Sequence, residues 1–216
     1  MPLDREQDKK PQNATQVPLL RLQALQSSHG GPFSLELAAG ECVAILGASG
    51  SGKSVLLRMV ADLDPHAGKA YLGNQVRDAM PAPEWRRKLV YQAAEPAWWE
   101  PTAAAHFSDA DGPLVREMLG QLGLDTVLLD SDVTRLSTGQ RQRLALVRSL
   151  VGRPQVLLLD EPTAALDQSS ILAVEHLLRS RMEEGLAIIW VTHSEEQAGR
   201  VSTRRFEIRN KSLHPL

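Results

Sequence analysis

The sequence predicts an α/β fold whose core is a mainly parallel β-sheet covered by helices on both faces. Three almost wholly apolar runs, at 42–46, 156–159 and 187–191, are typical of strands that are buried on both sides. Segments with helical spacing of apolar residues alternate with these runs, and strands that alternate with helices form parallel sheets. The 216 residues are 43% hydrophobic and 23% charged, which suits one domain with a lobe inserted.

The other elements follow from turn signals and hydrophobic periodicity. Residues 17–25 and 33–37 alternate apolar and polar side chains on either side of Gly30, Gly31 and Pro32, which indicates an antiparallel pair with one exposed face. In chain order we expect strands at 17–25, 33–37 and 42–46, a helix at 53–61, strands at 69–72 and 88–91, helices at 113–122 and 140–151, a strand at 156–159, a helix at 169–184, a strand at 187–191 and an edge strand at 203–208.

Two segments differ in character from this core. Residues 1–16 are polar with mixed charges, and we expect them to form a disordered tail. Residues 93–135 are interrupted by three prolines, and we interpret them as a small helical lobe inserted into the main fold. The predicted domain therefore spans 17–216 and carries an N-terminal antiparallel β lobe and this inserted lobe.

Composition and charge argue against several classes of function. The net charge of −2, from 24 Lys and Arg against 26 Asp and Glu, disfavours nucleic acid as a partner, because phosphate binding usually requires a basic surplus. The apolar stretches are far shorter than the roughly 18 residues of a bilayer span, and the amino terminus lacks the apolar core of a signal peptide. The single cysteine, Cys42, lies in an apolar run and indicates a core thiol in a reducing compartment. We therefore expect a cytoplasmic chain whose membrane role, if any, requires a separate subunit.

A glycine-rich segment between the strand at 42–46 and the next helix fits the phosphate-loop pattern G-x-x-x-x-G-K-[ST]. It consists of Gly47, Ala48, Ser49, Gly50, Ser51, Gly52, Lys53 and Ser54. The glycines let successive backbone N–H groups surround phosphate oxygens, and the helix N-terminus adds its positive dipole end. Lys53 is placed to reach the β- and γ-phosphates, and the Ser54 hydroxyl is placed to bind Mg²⁺. The segment predicts a P-loop NTPase core.

Two acidic residues follow the apolar run at 156–159. A buried parallel strand delivers Asp160 to the carboxyl edge of the sheet, where ligands bind in open α/β folds. Asp160 is placed to hold Mg²⁺, and Glu161 is placed to polarise a water in line with the γ-phosphate. Such residues alone usually form a solvated turn, but downstream of a phosphate loop they indicate a functional pair.

A third motif precedes the predicted helix at 140–151. It contains Ser137, Gly139 and Gln140, and a serine or threonine at this point is favoured as the helix N-cap. A glycine-containing helix start is also an anion site, and one chain has no obvious use for a second one. A dimer has a use for a second anion site, because the phosphate loop of one subunit can face this turn of the other.

These motifs, with three more, make the chain resemble an ATP-binding cassette (ABC) ATPase over roughly residues 17–210. The additional motifs are the Q-loop residue Gln92, the D-loop residue Asp167 and the switch histidine His193. In this family the turn with Ser137 and Gly139 is the signature motif. All six motifs occur in the family's order.

The resemblance implies that ATP is bound between two copies of the chain. One copy contributes residues 47–54, and the other contributes Ser137, Gly139 and Gln140. Asp167 would act across the dimer interface. Hydrolysis then releases the clamp.

The resemblance also assigns catalytic roles. Glu161 is implied to be the catalytic base, His193 to contact the γ-phosphate, and Gln92 to link the metal and the attacking water to the inserted lobe. The implied Mg²⁺ ligands are Ser54, Gln92 and Asp160. The implied cofactors are therefore ATP and Mg²⁺.

The sequence departs from the family pattern at several positions. Thr138 replaces the usual signature glycine and adds a Cβ where the backbone would approach phosphate. Val55 stands where threonine is common and should affect packing more than metal binding. The aromatic residue that stacks on adenine would fall near Ser28 or His29, and His29 is either that residue or an exposed loop histidine. Phe33 is interpreted as strand core.

Adjacent tryptophans follow the Q-loop. Trp98 and Trp99 cannot both point inward from one segment, so we expect at least one on the surface. Members of the family receive a helix of the transmembrane permease at this place, and aromatic anchors are typical of interface hot spots. We therefore expect a permease to contact the inserted lobe near these residues.

Three functional classes use a phosphate loop of this kind. The leading one is the ATP-hydrolysing subunit of a transporter, peripheral on the inner face of the cell membrane. The second is a non-transport ATPase of the same family, acting in a soluble assembly or nucleic-acid machine, and the third is a small-molecule kinase, which has no use for the signature motif. The segments at 85–92 and 189–193 resemble a bacterial subgroup linked to iron export.

Overall fold

The computed structural model describes residues 17–216, so the expected tail at 1–16 lies outside the described residues. Two β-sheets and six α-helices form this part of the chain. The strands are β1 Leu20–Ser27, β2 Gly30–Leu37, β3 Cys42–Leu46, β4 Ala67–Leu72, β5 Gln75–Val76, β6 Leu89–Gln92, β7 Val156–Asp160, β8 Ala187–Val191, β9 Arg204–Arg209 and β10 Ser212–Pro215. The helices are α1 Lys53–Val60, α2 Ala82–Lys88, α3 Gly112–Gln121, α4 Thr138–Val151, α5 Gln168–Glu183 and α6 Glu195–Val201.

A six-stranded sheet with the order β10-β9-β3-β8-β7-β6 forms the centre of the fold. Neighbouring strands from β9 to β6 run parallel, while β10 runs antiparallel to β9. Every residue of β3, β7 and β8 is buried, as required of strands that have helices on both faces. The predicted α/β fold with a mainly parallel sheet is therefore confirmed.

The strand expected at 203–208 is confirmed, but the expectation that it lies at the edge of the sheet is wrong. These residues form β9, which pairs with β3 on one side and with β10 on the other. The chain reverses after β9 at Asn210 and Lys211, whose φ angles of 50° and 61° are left-handed. The short strand β10 then covers the edge, and its sequence Ser-Leu-His-Pro carries no apolar run by which it could be recognised.

The second sheet has the order β2-β1-β4-β5 and is antiparallel throughout. In the pairing of β1 with β2, Leu20 lies opposite Leu37 and Leu22 lies opposite Leu35. These leucines and Phe33 are buried, so one face of the sheet joins the core as the alternating pattern predicts. The predicted antiparallel β lobe is confirmed.

The core lies on both faces of the central sheet. Along β7, Val156 and Leu158 pack into the cluster that contains α1 and the antiparallel sheet. Leu157 and Leu159 point the other way, into the cluster formed with α3, α4 and α5. Alternation along one strand thus joins the two halves of the molecule.

Two short helices were not expected from the sequence. In α2 only Trp85 is buried, and in α6 the buried residues are Gln197 and Ala198. Neither helix therefore carries the apolar stripe by which a surface helix is recognised. In α6 a polar cap marks the start instead, since the Ser194 side chain accepts a hydrogen bond from the Gln197 N–H at 3.1 Å, whereas α2 has no side-chain cap and carries a proline in its first turn.

Residues 93–135, which the sequence assigns to an inserted lobe, contain α3 and four short 3-10 turns. Val115, Met118 and Leu119 of α3 are buried in the cluster shared with α4. An isolated bridge between Thr102 and Asp132 draws the two ends of the stretch together. The division of the chain at these boundaries stays a prediction.

Candidate active site

Four of the sequence-predicted segments meet at the carboxyl ends of adjacent parallel strands. The order β3-β8-β7-β6 places residue 47 after β3, His193 after β8, Asp160 and Glu161 at the end of β7, and Gln92 at the end of β6. We call this region the carboxyl edge. It is the place where ligands bind in open parallel sheets.

The loop between β3 and α1 is built on left-handed backbone. The φ angles of Gly47, Gly50 and Gly52 are 144°, 76° and 107°, in a region that favours glycine. Gly52 precedes the first turn of α1, and no side chain caps this helix. The first N–H groups of α1 are therefore available to an anion, as a phosphate loop requires.

Lys53 is buried and folds back onto its own loop. Its Nζ donates to the carbonyl oxygens of Gly47 at 2.7 Å and Ala48 at 3.0 Å. Burial lowers the pKa of Lys53, while the nearby carboxylates of Glu161 and Asp160 act in the opposite direction. The Lys53 ammonium group thus lies between the loop and the two acidic residues at the end of β7. The next residue, Ser54, is exposed.

Asp160 is nearly buried and has one neighbour that the sequence analysis missed. The hydroxyl of Tyr91 donates to Asp160 Oδ2 at 3.1 Å. Burial raises the pKa of Tyr91 above its ordinary value, and the charge and hydrogen bond of Asp160 raise it further. Tyr91 therefore stays a neutral donor that orients this carboxylate. No signal in the sequence points to Tyr91, because the pairing of β6 with β7 brings it to Asp160 from 69 positions away.

Glu161 and His193 are in direct contact. His193 Nε2 lies 2.5 Å from Glu161 Oε1, and because a carboxylate only accepts, the imidazole is the donor. Glu161 has a φ of 49°, which is uncommon for a residue with a side chain and costs about 1–2 kcal/mol. Its N–H donates to the Val191 carbonyl at the end of β8, at 3.1 Å. Adjacent strands thus hold this strained residue against the histidine.

Gln92 ends β6 with its amide inside the protein. The residue is 4% exposed, and neither its Nε2 nor its Oε1 has a hydrogen-bond partner among the described residues. A buried amide without partners is costly, and a bound ion or water at this place would satisfy it. An amide oxygen together with the Asp160 carboxylate and the Ser54 hydroxyl is an all-oxygen donor set, which fits Mg²⁺.

The signature turn is held by contacts outside the carboxyl edge. Ser137 and Gln140 form a capping box, in which Ser137 Oγ accepts from the Gln140 N–H at 3.2 Å and Gln140 Oε1 accepts from the Ser137 N–H at 2.8 Å. A Cβ added to Gly139 would lie 3.1 Å from Leu166 Cδ2 and 3.3 Å from the Ala165 carbonyl oxygen. This glycine therefore packs the turn against the segment that leads to Asp167.

Asp167 and Thr138 lie near this turn. Asp167 caps α5 by accepting from the Ser170 N–H at 2.9 Å, and its pKa falls to about 2 because of the Ser169 hydroxyl first and that N–H second. The carboxylate is therefore ionised at neutral pH. Thr138 is exposed, and its hydroxyl accepts from Arg141 at 3.3 Å, so its Cβ does not disturb packing within the chain.

His29 lies in the turn between β1 and β2, next to the phosphate loop. A Cβ added to Gly52 would lie 3.8 Å from the His29 carbonyl oxygen. The imidazole is exposed and its Nδ1 lies 3.0 Å from Ser28 Oγ. Stacking of this ring on adenine stays a prediction. Phe33, as expected, is buried.

Trp98 and Trp99 form a cluster with His106 and Arg148, which we call the tryptophan cluster. The Arg148 guanidinium lies 4.4 Å from the Trp98 ring centroid and 4.8 Å from that of Trp99. The His106 ring packs edge-on against both, at 5.0 and 4.4 Å. Trp98 packs partly buried against the core, whereas Trp99 is 69% exposed. The expectation that at least one tryptophan lies on the surface is confirmed.

Comparisons with known proteins agree with this geometry. A family model described as ABC transporter matches residues 31–164. The chain is 35% identical to the lipoprotein-releasing system ATP-binding protein LolD of Nitratidesulfovibrio vulgaris, over 92% of this chain and 95% of that protein. It is 31% identical to the probable iron export ATP-binding protein FetA of Escherichia coli, over 83% and 87% of the two chains.

A solved structure has the same fold. It is a dimeric ATP-binding cassette in a post-hydrolysis state bound to ADP and Pi, with a TM-score of 0.79 and 24% identity. The match covers 90% of this chain and 96% of that chain.

Among residues 17–216 no helix combines the length and the apolar character of a membrane-spanning segment.

Proposed function

The chain belongs to the ABC transporter family of ATPases, and from that premise we propose that it is the ATP-hydrolysing subunit of a transporter. In this proposal two copies close around two ATP molecules and drive a separate transmembrane permease from the inner face of the cell membrane. The contact between Glu161 and His193 at the carboxyl edge is the observation that carries the proposal.

Glu161 is proposed as the general base. Its carboxylate follows the strand end that carries Asp160, and Lys53 lies close enough for the charges to interact. A carboxylate held here can accept a proton from water attacking the γ-phosphate. His193 fixes the side chain of Glu161 by its hydrogen bond and is half exposed, so the imidazole can also contact a phosphate oxygen.

The phosphate loop is proposed to bind the triphosphate through its backbone. Lys53 now donates to two loop carbonyls, and phosphate oxygens offer this ammonium stronger, charge-assisted hydrogen bonds. The uncapped N-terminus of α1 adds free N–H groups at the same place. Residues 47–54 therefore supply both the positive charge and the donors.

Ser54, Gln92 and Asp160 are proposed to hold Mg²⁺. The unpartnered Gln92 amide and the nearly buried Asp160 carboxylate fit this role. When bound, the ion neutralises charge on the phosphates of ATP. Tyr91 keeps the Asp160 carboxylate oriented by donating to Oδ2.

Dimerisation is proposed because the signature residues have no role at the carboxyl edge of their own chain. Ser137, Gly139 and Gln140 form a capped helix start whose contacts are with their own turn and with residues 165–166. In a dimer this helix start and Asp167 would face the nucleotide bound by the other copy. The related cassette bound to ADP and Pi is itself dimeric.

The tryptophan cluster is the proposed contact with the permease. An aromatic side chain that is 69% exposed and stacked on an arginine is typical of an interface hot spot. For the cargo, we propose a metal such as iron, which rests on similarity to a protein named as a probable iron exporter. Metal efflux from cells that lack or overexpress the chain tests this assignment.

The Glu161→Gln variant tests the proposed chemistry. It keeps the size of the side chain and removes the base, so we expect steady-state ATP hydrolysis to fall about 100-fold or more. ATP binding should be retained, and the variant should form an ATP-dependent dimer in light scattering. Glu195→Gln, an exposed change on α6, is the matched control and should hydrolyse ATP at the wild-type rate.

Two outcomes would contradict the proposal. Hydrolysis by Glu161→Gln at close to the wild-type rate would mean that Glu161 is not the base. A variant that binds ATP but stays monomeric at all concentrations would overturn the dimeric arrangement.

A further inference from the structure

A buried polar cluster lies behind Glu161 and His193, between α5 and α6. Its members are Glu175 on α5, Gln197 and Arg200 on α6, and Thr163 and Thr192 in the loops after β7 and β8. Glu175 and Gln197 are only 6% and 5% exposed. Burying a carboxylate and an amide is costly unless both are fully hydrogen-bonded, so the arrangement has to be specific.

Arg200 holds the Glu175 carboxylate from one side. Its Nε donates to Oε2 at 3.1 Å and its Nη2 donates to Oε1 at 2.9 Å, which is the two-pronged geometry that fixes a carboxylate in one plane. Gln197 Nε2 donates to the same Oε1 at 3.0 Å. Glu175 is therefore a fixed acceptor at the base of the cluster.

This acceptor decides which way the Gln197 amide points. A carboxylate accepts only, so Nε2 faces Glu175, and the same Nε2 also donates to Thr163 Oγ1 at 3.0 Å. Oε1 then accepts from the Thr192 hydroxyl at 2.9 Å, and the Thr163 hydroxyl lies within 3.3 Å of it. The amide thus joins two loops that come from neighbouring strands.

The two loops are those of Glu161 and His193. Thr163 is two residues beyond Glu161, and Thr192 directly precedes His193. Thr192 Oγ1 also accepts from the Ser194 N–H at 3.1 Å, so both neighbours of His193 are tied to this hydroxyl. A change in the Gln197 amide would therefore move Glu161 relative to His193.

We propose that Gln197, oriented by the Glu175–Arg200 pair, is the positioning residue that holds Glu161 and His193 in register for hydrolysis. The inference rests on the proposed function, because it assumes that this pair acts on ATP. Gln197 is a positioning residue because it acts through the two loops. Binding of ATP by the phosphate loop should not depend on it.

Two substitutions test the assignment. Gln197→Ala removes the hydrogen bonds of the amide with Glu175, Thr163 and Thr192, and Gln197→Glu keeps the shape but sets a second carboxylate against Glu175. We expect kcat for ATP hydrolysis to fall about tenfold to a hundredfold in both, as for small misplacements of catalytic groups, with KM and ATP affinity within about twofold of wild type.

A third variant separates positioning from a general loss of packing. Gln197→Met keeps the length and volume of the side chain and removes its polar contacts with Glu175, Thr163 and Thr192. We expect kcat to fall as in Gln197→Ala, because a side chain that only filled space would be replaced well by methionine. Glu196→Gln is the matched control, because it removes the exposed partner of Arg200 and leaves Gln197 untouched.

The outcomes separate this inference from the proposed function. If Gln197→Ala and Gln197→Glu hydrolyse ATP at the wild-type rate, the positioning role alone is overturned. An equal fall in ATP affinity and kcat, or a wild-type kcat in Gln197→Met, also overturns it. If Glu161→Gln hydrolyses ATP like wild type, the proposed function fails whatever the Gln197 variants do.

Discussion

The carboxyl edge and the tryptophan cluster are held in place by different means. At the carboxyl edge the backbone sets the positions of the site residues, because these residues directly follow buried parallel strands and the phosphate loop depends on left-handed glycines. At the tryptophan cluster, side chains of α4 hold the irregular segment at 94–97 by hydrogen bonds to its carbonyl groups. Gln142 Nε2 donates to the Ala94 carbonyl at 3.2 Å, and Arg148 Nη2 donates to that of Ala97 at 2.9 Å.

The difference explains what each region can tolerate. A loop of left-handed backbone accepts few residue types, so it leaves a recognisable pattern in the sequence. A segment held by two side chains has ordinary backbone requirements and leaves no such pattern. Substitutions should therefore damage the carboxyl edge through the backbone and the tryptophan cluster through lost contacts.

Gly47→Ala should produce the largest effect. The φ of 144° is unfavourable for alanine, and the new Cβ would lie 2.8 Å from Ser51 Oγ and 2.9 Å from the Ile208 carbonyl oxygen. We expect the free energy of unfolding to fall by about 3 kcal/mol and ATP binding to be lost. Urea unfolding and nucleotide titration measure both.

Gly50→Ala is the control within the same loop. Its φ is 76°, but a Cβ there meets no atom of the described chain within 4 Å. The cost should be limited to the left-handed conformation, about 1 kcal/mol. Equal destabilisation by the two alanines would show that close packing around residue 47 does not matter.

The same distinction decides how much was predictable from sequence. The bounds of β3 and β8 were predicted to the residue, because uninterrupted apolar runs between turn formers have few other readings. The helices α2 and α6 were missed, since their buried residues are Trp85 in one and Gln197 with Ala198 in the other. The motif at the end of β7, by contrast, correctly indicated that Asp160 and Glu161 lie at the carboxyl edge.

Residues that act through long-range side-chain contacts could not be found in this way. Tyr91 reaches Asp160 across 69 positions of sequence, and Gln197 reaches Thr163 across 34. No spacing rule links such pairs, because the sheet order brings them together. Likewise, adjacency of Trp98 and Trp99 predicted one exposed ring, but only packing decided that it is Trp99.

The two tryptophans provide the next test, at the tryptophan cluster. Trp98 packs against the core while Trp99 is exposed, so Trp98→Ala should lower the free energy of unfolding by about 2 kcal/mol. Trp99→Ala should cost less than about 1 kcal/mol, the value of an exposed cation–π contact. Basal ATP hydrolysis should survive Trp99→Ala, whereas cosedimentation with membrane vesicles of the native host should be lost.

The result distinguishes an interface from a packing role. Equal losses of stability in both variants would mean that Trp99 also serves the fold. Vesicle binding that persists in Trp99→Ala would place the permease contact elsewhere on the molecule.

Thr138→Ala should have the smallest effect on stability and Ser137→Ala a somewhat larger one, because the signature turn is an ordinary capped helix start. Loss of the N-cap costs about 1 kcal/mol, and Thr138→Ala, at an exposed position, should change stability by less than about 0.5 kcal/mol. Urea unfolding of the two variants measures the difference. Turnover of ATP, measured where both variants are fully folded, then separates the cap from the proposed contact with the nucleotide of the other copy. A loss of turnover in Ser137→Ala under those conditions cannot come from global unfolding, whereas full turnover would restrict Ser137 to its own helix.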